Sequence, residues 1–149
     1  RGTISLASDD PMAPAKIDPR YLDFDEDLRV MREGCKIIRR LYQQPAFAPF
    51  ITKEKDPWHG IDIDDDDATD ANIREKAETI YHPVGTCSMG PADNKNSVVD
   101  PDLKVISMEG LRVVDASVMP RLIGGNTNAP TIMIAEKCAD MIKSELVPA

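Results

Sequence analysis

None of the eight glycines in this 149-residue chain falls into a G-x-G-x-x-G pattern, so the chain carries no dinucleotide fingerprint of its own. It has only two histidines and three cysteines, Cys35, Cys87 and Cys138, with no C-x-x-C. That argues against a structural zinc site and against a disulfide framework, and fits a reducing compartment. Basic residues are outnumbered, 18 Lys and Arg against 26 Asp and Glu, for a net charge of −8. Nucleic acid and anionic membrane surfaces need a basic face, so neither is an expected partner. No apolar run approaches the roughly 20 residues of a membrane span, and the opening Arg1-Gly2-Thr3-Ile4-Ser5-Leu6 is too short and polar-flanked for a signal peptide. The chain does not begin with Met, so we expect the N-terminus of a parent protein, and any targeting signal, to lie elsewhere.

What remains is long enough for one ordinary domain with a core. Residues 2–6 alternate as a short strand. Residues 7–20, with Pro11, Pro14 and Pro19, predict a loop. From Asp25 to about Gln43, Leu28, Met31, Cys35, Ile38, Leu41 and Tyr42 recur at helical spacing. Acidic residues open that helix and Arg39-Arg40 close it, in accord with its dipole. Gly34 inside it suggests close packing, since glycine weakens a helix by about 1 kcal/mol.

Residues 44–60 predict a loop. The acidic stretch 62–70 leads into a helix over 68–80, with Ile73, Ala77 and Ile80 on one face. It is not a calcium loop: Asp67 stands where glycine is needed and Ile73 where glutamate is needed. Short strands are expected around Val98-Val99, Leu103-Lys104-Val105 and residues 111–114, with Glu109-Gly110 as a turn. A last helix spans 129–146, Pro130 suiting its first turn. Ile132, Met133, Ile134, Ala135, Cys138, Met141 and Ile142 cover so much of it that burial on more than one side is expected. If the chain stands alone, a second copy would have to cover that face.

One segment concentrates chemistry: Tyr81-His82-Pro83-Val84-Gly85-Thr86-Cys87-Ser88-Met89-Gly90. Histidine is the side chain best placed to move a proton near neutral pH. Pro83 stiffens one side of it, and Gly85 permits close approach of another molecule. Taken alone, a histidine beside a turn is structural. Cys87 is no nucleophile candidate, because no orienting third group can be named. Gly124-Gly125-Asn126 lacks the lysine and the spacing of a phosphate loop. His59, beside Trp58, reads as an ordinary loop residue.

Followed by Val98-Val99-Asp100-Pro101, Leu111-Arg112-Val113-Val114-Asp115-Ala116-Ser117 and Gly125-Asn126-Thr127-Asn128-Ala129-Pro130-Thr131, this segment resembles the C-terminal part of the glucose–methanol–choline family of flavin-dependent oxidoreductases. The likeness is strongest over residues 79–143 and leans toward choline dehydrogenase-like and alcohol dehydrogenase-like members. It implies an α+β fragment: residues 1–110 would supply antiparallel strands and helices of a substrate domain, and residues 111–149 the last strand and helix of an α/β FAD-binding domain. It implies FAD as cofactor, a small primary alcohol as substrate, and the remainder of a parent polypeptide as partner. Localisation would be cytoplasmic or peripheral to an inner membrane. His82 would be the active-site acid/base, taking the hydroxyl proton as hydride leaves for the flavin. A second polar residue would hold the substrate oxygen: Asn126 by spacing from Pro130, with Asn128 the competitor and helix capping the alternative use of either. Tyr81, Asp115, Ala116, Thr127 and Asn128 would lie near the flavin. The resemblance leaves open oxidase against dehydrogenase, a flavin lyase on the same scaffold, and a noncatalytic assembly module.

Overall fold

The computed structural model describes residues 1–146, so the last three residues of the 111–149 segment lie outside the described residues. The chain divides into two compact units, Arg1–Thr79 and the segment from Ile80 onward. Helices and a small antiparallel sheet make it α+β.

In the first unit, β1 (Thr3–Ser5) pairs antiparallel with β2 (Lys16–Asp18), Ile4 opposite Ile17. The loop expected over 7–20 therefore contains a strand. Lys16-Ile17-Asp18 is the proline-free stretch between Pro14 and Pro19, so its amides are available for pairing. Gly2 is required beside it, because a Cβ there would run into the Asp18 carbonyl and the Pro19 backbone.

Helix α1 (Asp25–Tyr42) forms where the periodicity places it, with Asp25, Glu26 and Asp27 in its first turn and Arg39 and Arg40 in its last. Only Leu28 of its apolar face is buried; Ile38, Leu41 and Tyr42 are more than half exposed. A Cβ at Gly34 would meet nothing within 4 Å, so close packing is not what places glycine there.

Helix α2 runs Asp66–Lys76, shifted from the expected 68–80. Asp65 caps it, its carboxylate accepting from the Ala68 amide at 3.0 Å, which moves the start forward. At the other end Ala77 is already extended and Ile80 is 75% exposed; no Gly or Pro marks that stop. Thr69, Asn72 and Ile73 are its buried residues.

Charge joins the two helices. Arg32 donates to Asp70 at 2.6 Å and Lys36 to Asp66 at 2.7 Å. Arg39 ties down the following loop through a two-pronged bond to Glu54 (2.7 and 2.6 Å) and through the Ile61 and Trp58 carbonyls (2.8 and 2.9 Å). A half-open cavity of about 490 Å³, lined by Cys35, Ile38, Tyr42 and Trp58 among others, lies beside that tie.

The second unit packs around Val99, Leu103, Val118 and Cys138, with Met89, Val105, Val113, Val114 and Ile134 against them. The three strands expected here are absent as regular strands; single bridges join Met89 to Val99, Val99 to Val105 and Lys104 to Arg112. Leu103, Ser107 and Gly110 all have positive φ (63°, 67° and 70°), which confines extended backbone between them to short stretches. Helix α3 (Asn128–Leu146) buries Cys138. Its last turn is tied down by Glu145, which accepts from Lys104 at 2.8 Å and Arg112 at 2.7 Å. Both contacts, Lys104 first, hold the Glu145 carboxyl below the usual carboxylate range. Ile132 and Met133 are more than half exposed, so among the described residues α3 is covered on one face only.

The Asp66 carboxyl is likewise lowered, chiefly by the hydrogen bond from Lys36 and then by the charge of Arg32. A carboxylate stabilised in the folded state contributes above its unfolded pKa, and that contribution fades as pH falls through the lowered value. Stability should therefore decline below about pH 4, and Asp66→Asn should flatten that acid limb. Urea titrations of both proteins between pH 3 and 7 check this; parallel curves would remove Asp66 as a source.

Candidate functional site

The His82 loop is held by its backbone rather than by its own side chains. The Cys87 amide donates to the Ser117 carbonyl at 3.0 Å, and the Met89 amide to the Val118 carbonyl at 2.8 Å. Both carbonyls belong to a single 3-10 turn, Ala116–Val118. That turn exists because Asp115 caps it, its carboxylate accepting from the Ser117 amide at 2.8 Å and from the Ser117 hydroxyl. Asp-x-Ser is the sequence signal for it. Gly85 closes the arrangement: its φ is +86°, and a Cβ there would lie 3.3 Å from the Met119 carbonyl oxygen.

Both ring nitrogens of half-buried His82 are engaged by consecutive residues. Nε2 lies 3.3 Å from the Asn126 side-chain oxygen, and Nδ1 lies 3.0 Å from the Thr127 hydroxyl. A neutral imidazole has one N–H and one bare nitrogen: with the Asn126 oxygen on Nε2 that nitrogen donates and Nδ1 accepts from the Thr127 hydroxyl, and turning the Asn126 amide end for end reverses both roles. The pair is brought in by the start of α3. The Thr127 carbonyl accepts from the Thr131 amide at 3.0 Å and from the Thr131 hydroxyl at 2.7 Å, so Thr127 occupies the cap position. Asn128 is the first helical residue and is exposed, which removes it from the capping position the sequence suggested.

Of the residues singled out from sequence, the structure brings together His82, Asn126 and Thr127. Asp115 and Ala116 connect to the His82 loop through the turn they build, Asp115 spending its carboxylate on that turn. Tyr81 sits in the left-handed region directly before His82, at φ 62°, with 79% of its surface exposed. Sequence reasoning missed the Thr127–His82 bond and the Gly85–Met119 approach. A hydroxyl beside Asn126 was the available signal for the first; none existed for the second, because the two residues are 34 positions apart. Among the described residues no three His, Cys, Asp or Glu converge as a metal site, and no helix is long and apolar enough to cross a membrane.

Residues 1–135 match the C-terminal family model described as GMC oxidoreductase. The chain is 51% identical over 142 residues to the alcohol dehydrogenase [acceptor] of Pseudomonas putida, covering 95% of this chain and 25% of that protein. It is 46% identical over 144 residues to human mitochondrial choline dehydrogenase, covering 97% of this chain and 24% of that one. An FAD-dependent oxidoreductase from Chaetomium thermophilum superimposes with a TM-score of 0.86 at 28% identity, over 97% of this chain and 24% of its own. The chain belongs to the GMC oxidoreductase family. It spans about a quarter of the length of the curated relatives it matches.

The Gly85 geometry is testable. Gly85→Ala forces a side chain into the left-handed region, at a cost of about 1–2 kcal/mol, and presses it on Met119. Thermal unfolding should show a lowered midpoint for Gly85→Ala. Gly124→Ala should leave the midpoint unchanged, since its Cβ would meet nothing within 4 Å. Equal midpoints for both variants would show that Gly85 does not hold the loop.

Proposed function

We propose that this chain is the C-terminal part of an FAD-dependent oxidoreductase that oxidises a primary alcohol, choline-like or other, to an aldehyde. The observation that carries the reading is the capture of both His82 nitrogens by Asn126 and Thr127 at the opening of α3. The family supports it, and so do relatives whose names are alcohol and choline dehydrogenase.

In this reading residues 1–110 belong to the substrate-domain side and residues 111–149 return to the FAD-binding domain. The residues present suit the ring end of the cofactor. The first turn of α3 carries no acidic side chain, and its unpaired amides and positive dipole end favour negative charge nearby. With no glycine fingerprint in the chain, phosphate and adenosine contacts fall to the rest of the parent polypeptide. When bound, FAD supplies a two-electron acceptor for the hydrogen leaving the carbinol carbon.

The protein's own part is acid–base and electrostatic. The Asn126 oxygen lies 3.3 Å from His82 Nε2, and turning that amide sets its NH2 in the same place, so that a substrate oxygen about 2.8–3.0 Å from both Nε2 and the NH2 closes a triangle on that separation. His82 Nε2 takes the hydroxyl proton as the C–H bond breaks with its electron pair and the C=O bond forms. Asn126, neutral at any working pH, donates its N–H to the oxygen as negative charge develops there. His82 leaves the step protonated and the product is the aldehyde.

In the full-length protein containing this chain, His82→Gln should lower alcohol turnover by about 10²–10⁴-fold with the flavin absorbance per protein unchanged. Asn126→Ala should lower it by about 10²–10³-fold, the usual effect of losing one such donor. Turnover near wild type in His82→Gln would remove His82 from the mechanism. Wild-type protein whose bound flavin is not bleached by any primary alcohol would favour a lyase or an assembly module.

A further inference from the structure

Thr127 should by ordinary helix chemistry spend its hydroxyl on its own helix. A threonine in the cap position accepts from the amide two or three residues on. Here the third residue is Pro130, which has no N–H. The hydroxyl instead faces His82 Nδ1 at 3.0 Å, in partly buried surroundings. Its backbone is held firmly, since the Thr127 carbonyl takes two bonds from Thr131. A β-branched side chain on a fixed backbone has few χ1 options, so the hydroxyl is delivered to one place.

We propose that Thr127 is a positioning residue that sets the tautomer of His82. This rests on the reading of His82 as the base. Proton abstraction at Nε2 requires that nitrogen to be bare, so the neutral ring must carry its proton on Nδ1. Which nitrogen is protonated is set by the partner of the other. The Thr127 oxygen accepts the Nδ1–H and leaves Nε2 bare; the Asn126 amide, whose oxygen lies 3.3 Å from Nε2, then turns end for end to present its NH2 there and to the substrate. The Nδ1–H bond to Thr127 strengthens once the ring is cationic, which favours the protonated product of the step.

Two readouts test this. Ring ¹⁵N spectra of the full-length enzyme, with the His82 signals assigned by their loss in His82→Gln, report the tautomer of that imidazole. The expected signature is a protonated Nδ1 and a bare Nε2; Thr127→Val should shift the ring toward Nε2–H, and Thr127→Ser should restore it. In the full-length enzyme Thr127→Val should lower kcat about tenfold or more with KM within about twofold, and Thr127→Ser should recover most of it. A Thr127→Val protein that keeps the wild-type tautomer and kcat, while His82→Gln is inactive, overturns the role of Thr127 and leaves the base intact. Thr127→Ser behaving like Thr127→Val would also overturn it, since the hydroxyl would then be irrelevant. An active His82→Gln enzyme would instead sink the underlying reading.

Discussion

The geometry around His82 depends on one constraint: two backbone hydrogen bonds that fasten residues 87 and 89 to the turn Ala116–Val118. A loop rich in Pro, Gly and small side chains has little apolar surface with which to hold itself. Its position must come from main-chain bonding to something rigid. The turn is rigid because Asp115 caps it and because Val118, one of the most deeply buried side chains in the protein, anchors it in the core. Cys138 of α3 enters the same cluster. The loop bearing His82 and the helix opening with Asn126 and Thr127 are therefore both referenced to one small core, and that common reference is what brings the three side chains together.

The same arrangement explains which parts of the sequence were legible. Helix α1 announces itself through 3.6-residue periodicity and charged ends, and α3 through Pro130 and its long apolar run, which are properties of local sequence. The strands of the second unit did not form as such. Nothing in Leu103 or Ser107 signals a left-handed backbone; it accompanies bonds such as those from the Asp100 amide to the Lys104 carbonyl and from the Val105 amide to the Leu111 carbonyl, which only the folded chain defines. Strand β2 was hidden by the prolines on either side of it. Helix α2 was misplaced because Asp65 is one of several neighbouring aspartates and only one of them becomes the cap.

At the site, His82 and Asn126 were visible as residues but only through family likeness. Spacing from Pro130 favoured Asn126 with Asn128 the competitor; in the structure Asn126 lies beside His82 and Asn128 opens α3. The hydroxyl of Thr127, a residue the resemblance puts near the flavin, lies on the imidazole, a contact not foreseen from sequence. Local sequence contained the reason, in Pro130, but that reason becomes meaningful only once the helix start is known to within a residue.

The exposed apolar residues of both units bear on the proposed division of labour. The core of the second unit is a handful of side chains, while Ile132, Met133 and Leu146 of α3 stand more than half exposed. At roughly 25 cal/mol per Å² of apolar surface, leaving several such side chains in water forfeits a large part of a small unit's stability. A chain with net charge −8 gains solubility from its charges, but charge does not replace that burial. Under the proposed function, those side chains would form a surface for the rest of a parent polypeptide to cover; the chain spans about a quarter of the curated relatives it matches. On that view the residues kept on this chain are the ones whose geometry needs only local support. Two ring nitrogens, one amide and one hydroxyl are fixed by a single turn and a helix start. Under the same proposal, contacts that need a Gly-rich phosphate loop, which this chain lacks, would fall to the rest of that polypeptide.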